Sequence, residues 1–375
     1  MVCGLFLFLT GCEVQPASDG AYHVRPGQDI QRALDLASAD PAVKTVRVHA
    51  GTYRPRRSGQ AMVWFNARHD GITLEAVGEV ILTAANTEIA DPAAPSFPAV
   101  VNHVVYFGDG ISRSTILRGF RITGANNYVT RDTEPVDIQP DAEDMRWEKG
   151  MFFYTDGGGI KIFGRSYPRI EGVEIYGNYA SPCAGGVSIE HRGFDQDAVL
   201  LRDCIFRENR SQVTGAALDL LPGSAAELHN CLFVGNIANI GIDYVGRRGG
   251  LEYNQEHGSG ALTVFPGSRV HVERCTFTAN WNGVDDKGDS RYERSVFWRN
   301  VATGGISPGR RYELDLAKGD GVAGCVIAGD IEDLRGTIDR RTNTFDATDP
   351  DFDENYVPRA PGYTGVGYRP PAAGR

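Results

Sequence analysis

The sequence predicts an all-β fold, a single right-handed parallel β-helix (a solenoid) with a short N-terminal capping helix. Three observations lead there. A nine-residue motif with strand periodicity returns down the second half of the chain, and a second apolar strand precedes each copy in phase. In addition, 46 of the 375 residues are glycine, a turn-rich composition with few helix-favouring stretches.

The motif is clearest as Leu201–Asn209, Leu228–Asn236 and Val272–Asn280, each containing Cys-x-Phe-x-x-Asn. A fourth copy has serine for cysteine (Tyr292, Ser295, Phe297, Asn300), and weaker copies are Leu117-Phe120-Ile122, Ile170-Val173-Ile175-Asn178 and Val322-Cys325-Ile327. From Val173 through Cys204, Cys231, Cys275 and Ser295 to Cys325 the steps are 31, 27, 44, 20 and 30 residues. Steps of that size fit one coil each, and the step of 44 is one coil carrying an insertion. The in-phase partner strands are Gly159–Ile162, Gly186–Ile189, Ala217–Leu220 and Ala261–Val264. A coil buries its apolar residues only against its neighbours, so like residues stack at about 4.8 Å. Cysteine serves there as a compact inward hydrophobe, and asparagine at the bend hydrogen-bonds its own copies. The cysteines show no close pair with zinc-ligand spacing, so Cys204, Cys231, Cys275 and Cys325 are expected as buried free thiols, with no metal.

At the N-terminus, Val2–Leu9 is apolar but too short to span a bilayer, which needs about 20 such residues. It leads into Leu9-Thr10-Gly11-Cys12, which resembles the bacterial lipoprotein signal. That resemblance implies lipidation of Cys12, export to the cell envelope, and a membrane anchor at the outer membrane or cell surface. The expected organisation is a signal segment at 1–12, a tether at 13–24, the β-helix at 25–365 and a disordered tail at 366–375. Within the β-helix, Asp29–Ala39 carries Ile30, Ala33, Leu34 and Ala37 on one helical face, suited to cover the first coil.

The segment Ile30-Gln31-Arg32-Ala33-Leu34 leading into Val46-Arg47-Val48-His49-Ala50-Gly51-Thr52-Tyr53 resembles the opening of pectin-lyase-like β-helix proteins. The strand Gly157–Ile160, the Cys-x-Phe-x-x-Asn coils and Asp349-Pro350-Asp351-Phe352 are similar to the right-handed β-helix repeat proteins of bacterial surfaces. The resemblance implies a polysaccharide ligand held on the outward face of a parallel sheet. It does not fix an activity, since one fold hosts many functions.

Strand phase then gives the candidate site. Lys161, Ser188, Glu190, Asp219 and Asp243 are expected outward on successive coils, with His191, Arg192, Asp195 and Asp197 on loops leaving those strands. The insertion in the long step adds Arg247, Arg248, Glu252, Tyr253 and His257. Lys161, Asp219, Asp243 and Arg247 are the candidates for catalysis; Glu190, His191, Arg192, Arg248 and Tyr253 are the candidates for binding. β-Elimination on a uronic acid needs a base and cations near the carboxylate, and hydrolysis needs two carboxylates. Asp219 with Asp243 could hold Ca2+. The run Asp285-Asp286-Lys287-Gly288-Asp289 reads as a turn. No Gly-His-Gly or Arg-x-Lys motif of polygalacturonase-like enzymes is present. The expected function is therefore a surface lipoprotein that binds a glycan or a cell-surface partner, as a monomer. The alternative is a polysaccharide lyase or glycoside hydrolase acting on an acidic polysaccharide. A net charge of −10 argues against a nucleic-acid partner.

Overall fold

The computed structural model describes residues 16–371, except 57–58, 86–100, 128–155, 181–182, 239, 241–259, 304–310, 330–333, 336–337 and 347. The chain is mostly strand, arranged in long parallel sheets, and the one α-helix among the described residues is Ile30–Ala39. The helix starts where Asp29 accepts the Arg32 amide (3.3 Å), and it buries Ile30, Ala33, Leu34 and Ala37, the predicted face.

The largest sheet is built in two lanes. One lane pairs Arg169–Glu171, Val199–Arg202, Ala225–His229, Arg269–Glu273, Arg291–Glu293 and Val322–Ala323, all parallel. The other pairs Glu174–Tyr176, Ile205–Arg207, Leu232–Val234, Thr276–Thr278, Val296–Trp298, Val326–Ala328 and Thr344–Asp346. Nearer the N-terminus the long strands Thr73–Thr83 and Ile116–Thr123 run through both lanes. A second sheet of nine strands includes Val101–Phe107, Ile160–Phe163, Val187–Glu190, Leu218–Leu220, Leu262–Val264, Val284–Asp286 and Leu314–Leu316.

Register turns the repeated motif into columns. Ile122, Ile175, Phe206, Phe233, Phe277, Phe297 and Ile327 are successive partners, and the Phe206, Phe233 and Phe277 rings stack with centroids 4.5 and 4.3 Å apart. Cys204, Cys231, Cys275 and Cys325 are buried and free, and the Cys231 amide points at the Cys275 sulfur (3.3 Å). The asparagines form a continuous ladder. Asn178, Asn209, Asn236 and Asn280 each donate from Nδ2 to the next asparagine's Oδ1, at 3.1, 3.1, 2.9 and 2.7 Å. Each also donates to a carbonyl of the preceding strand of the lane (Ile122, Ile175, Phe206, Phe233), and the last rung, Asn300, pairs with the buried Glu313.

The residues just before the cysteine and asparagine positions adopt left-handed backbone: Asp203 and Glu208, Asn230 and Gly235, Arg274 and Ala279, Arg294 and Arg299. Such φ values are rare for ordinary side chains. Because aspartate, arginine, glutamate and alanine all accept it here, the stacking of the parallel strands imposes the bend.

Tyr22–Val24, expected in the tether, is a strand paired with Val46–Val48, and two further sequence expectations change. Asp285 and Asp286, the first two residues of the run expected as a turn, belong to the strand Val284–Asp286 of the second sheet. Val284 points inward, and the inward Asp286 carboxylate is accommodated by the Tyr292 hydroxyl (2.6 Å) and the Gly288 amide (2.7 Å). Burial raises the Asp286 pKa, and burial followed by the Asp286 charge raises that of Tyr292 well above its ordinary value. The second change concerns 366–371, expected in a disordered tail. This segment, with Tyr363 before it, packs on the outer face of the second lane over its apolar outward residues. Tyr368 covers Leu232 and Val234, and Tyr363 covers Val296, Trp298 and Val326. The Tyr368 amide donates to Thr276 Oγ1 (2.9 Å) and the Arg369 amide to Asn230 Oδ1 (2.8 Å).

Candidate functional site

The second sheet carries one row of polar side chains that alternates with its inward apolar row. Lys161, Ser188, Asp219, Thr263, Asp285 and Asp315 are successive register partners, so Lys161, Ser188 and Asp219 do stand side by side. They are not solvated. The first five are fully buried and Asp315 is 3% exposed. Charge compensation makes that tolerable, because a buried charge needs a close partner.

Lys161 is enclosed by acceptors. Its Nζ donates to Asp156 Oδ2 (2.5 Å), Glu190 Oε2 (2.7 Å) and Ser188 Oγ (3.2 Å), and Ser188 Oγ donates to Asp156 Oδ2 (2.7 Å). Burial alone would lower the Lys161 pKa, but Asp156 and then Glu190 outweigh it and hold the ammonium above its ordinary value. Burial likewise pushes Asp156 up, and Lys161 more than reverses this. Asp156 was missed by sequence reasoning; the signal was its place immediately before Gly157-Gly158-Gly159, a turn that returns its carboxylate to the strand it precedes.

The neighbours of this centre are also held. Glu190 is shared with Arg192, whose Nε donates to Oε1 (3.0 Å) while its guanidinium lies 4.7 Å over the Phe163 ring. Asp219 accepts from Thr214 Oγ1 (2.7 Å). Gly215 beside it has φ +46°, and a Cβ there would fall 1.6 Å from Asp219 Oδ1, so only glycine lets this carboxylate sit where it does. The Cys183 thiol is pushed well above its ordinary value by burial and then by the charges of Asp219 and Asp156, which makes it a poor nucleophile. Further along the row, Lys287 Nζ bridges Asp315 (2.8 Å) and Asp285 (3.1 Å).

His191, expected at a binding loop, is buried. Its Nε2–H donates to the Ser166 carbonyl (2.9 Å) and its Nδ1 accepts the Ala225 amide (3.3 Å), so both ring nitrogens serve the fold. Burial holds its pKa down at about 4. The structure thus gathers Lys161, Ser188, Glu190 and Arg192, sets Asp219 one strand beyond Ser188, and turns His191 away from them. Cys12, Asp243, Arg247, Arg248, Glu252, Tyr253 and His257 lie outside the described residues. Among the described residues no three His, Cys, Asp or Glu side chains converge as metal ligands.

A second polar feature lies on the first lane of the large sheet. It is an open trough of about 660 Å³ whose lining includes Arg113, Asp197, Glu227, Arg269, His271 and Arg291. Arg113 reaches Glu227 (2.7 Å) and Asp197 (2.7 Å), and Arg269 pairs with Asp195. The hydrogen bond to Arg113 lowers the Glu227 pKa. Sequence reasoning placed Asp195 and Asp197 beside the candidate strands, but not Glu227 or His271, which are partners in one column of the lane.

No protein-family model, curated protein or solved structure matches this chain at a significant level.

Proposed function

We propose that this chain is a right-handed parallel β-helix of the pectin-lyase-like kind, exported to the cell envelope and anchored there through lipid on Cys12. As a monomer it binds an extended polysaccharide in the trough on the first lane and does not cleave it. The observation that carries binding over catalysis is the state of Lys161. A base for β-elimination must be unprotonated near neutral pH, whereas Lys161 is buried between two carboxylates that stabilise its ammonium form. The trough supports the binding site. Glu227, His271 and Arg291 are register partners on strands about 4.8 Å apart, with Arg113, Asp197 and Arg269 beside them, a mixture of donors and acceptors that matches sugar hydroxyls. Partly exposed ion pairs such as Arg113–Glu227 are worth under about 1 kcal/mol, so they exchange readily for a ligand's hydrogen bonds.

The test is calorimetric titration of the purified chain with polygalacturonate, alginate and a neutral glucan. Saturable binding to at least one is expected, lost in Arg113→Ala/Arg269→Ala with little change in Tm. No binding to any of the three would overturn the reading. New unsaturated or reducing ends would instead establish the lyase or hydrolase alternative. For the anchor, Cys12→Ser is expected to move the protein from the membrane fraction to the soluble one.

A further inference from the structure

The centre around Lys161 has a chemical consequence separate from ligand binding. An amine and a carboxyl group touch at 2.5 Å, a second carboxylate sits 2.7 Å from the same nitrogen, and none of the three is more than 9% exposed. Held reactants gain effective concentrations far beyond those of free solutes, and the short contact lets a proton pass from nitrogen to oxygen, giving the minor neutral pair in which the amine is nucleophilic. We infer that Lys161 and Asp156 condense spontaneously into an intramolecular isopeptide bond, with Glu190 as the proton shuttle.

The steps balance without an outside reagent. One ammonium proton crosses the 2.5 Å contact to Asp156, leaving a neutral amine and a neutral carboxylic acid. The Lys161 Nζ lone pair attacks Asp156 Cγ. Glu190 Oε2 takes the second proton from nitrogen and delivers it to the departing hydroxyl, which leaves as water. The third hydrogen stays on the amide nitrogen, and Glu190 is regenerated. Ser188 Oγ, which donates to Asp156 Oδ2 at 2.7 Å, stays hydrogen-bonded to that oxygen as it becomes the departing hydroxyl. The driving force is local. A buried ion pair carries a large desolvation cost, and the reaction replaces two buried charges with one neutral amide and releases water. Gly157, between the reacting residues, supplies the left-handed backbone (φ +81°) at the bend of the ring that would close.

The test is peptide mass spectrometry on the full-length chain, denatured and digested with trypsin. The expected product is a peptide from Gly150 to Arg165, uncut after Lys161 and lighter by one water than its sequence. Cleavage after Lys161 at full mass overturns the inference. So does a water-deficient peptide that is cut after Lys161 and opened by hydroxylamine, because that marks a succinimide at Asp156–Gly157. Glu190→Gln, checked for folding by circular dichroism, is expected to return the peptide to full mass with cleavage restored. A cross-link that persists in it would overturn the role of Glu190. Loss of the bond would leave trough binding unchanged, so this result and the glycan titration fail independently.

Discussion

The inner column of the large sheet and the polar row of the second sheet are built on the same stacking distance and fill it in opposite ways. In the column each residue repeats itself: phenylalanine lies on phenylalanine, asparagine donates to asparagine, cysteine sits above cysteine. In the row no residue type repeats until Asp285 and Asp315, and there Lys287 reaches in between the two carboxylates. Apolar rings and amides complement their own copies, whereas like charges about 5 Å apart repel. A charged row in a stack must therefore alternate, dilute itself with hydroxyls or import counter-ions. The exposed face of the large sheet alternates: Arg47, Glu75, Arg118 and Glu171 follow one another in register, with Arg47–Glu75 at 2.8 Å and Arg118–Glu171 at 2.7 Å. The buried row uses the other two devices.

The comparison breaks most visibly at a stacked ring. Phe233→Ala is expected to cost about 4 kcal/mol, because the hole opens between two rings that cannot close on each other. Chemical denaturation read by circular dichroism checks this, and a cost below about 1 kcal/mol would mean the column is loosely packed.

The next effect belongs to the second sheet and is a pH dependence. His191 has a folded pKa of about 4 against an ordinary 6.5, so the unfolded chain takes up the proton first as pH falls. Stability from this group is present above pH 6.5 and declines as pH drops toward 4, by about 3 kcal/mol in all at 1.36 kcal/mol per unit. Its cause is concrete: protonating Nδ1 removes the acceptor of the Ala225 amide. In His191→Gln the slope of unfolding free energy between pH 6.5 and 4 is expected to flatten.

Asn236→Ala comes third, at about 2 kcal/mol, since it strips the acceptor from both the amide and the Nδ2 of Asn209. Smallest is Arg121→Ala on the exposed face, under about 1 kcal/mol despite contacts to Glu174 (2.6 Å) and Glu79 (2.5 Å). If Arg121 proved costlier than Asn236, the division between internal ladder and solvent-side pairing would be wrong.

The same contrast explains what was legible in the sequence. Cys204, Phe206 and Asn209 announce their roles because each role recurs, repeat after repeat, at the same place in the motif. Strand phase likewise put Lys161, Ser188 and Asp219 in one row. Their burial was not legible, since it depends on Asp156 and Glu190 closing over Lys161, and side-chain alternation says which face a residue is on but not what covers it. The left-handed corner residues were hidden because their identities vary. The docking of Tyr368 on the second lane was hidden for another reason: Thr276, its partner, is 92 positions away and belongs to no repeat shared with it.

Protection of histidines from diethyl pyrocarbonate, mapped by peptide mass spectrometry with and without saturating polysaccharide, tests the account most directly. His271 lines the trough and His191, just past the strand Val187–Glu190, is fully buried. In the native protein His271 is expected to react and to be shielded by the bound chain, while His191 stays unmodified in both states. Rapid modification of His191, or saturable binding that leaves His271 as reactive as before, would contradict it.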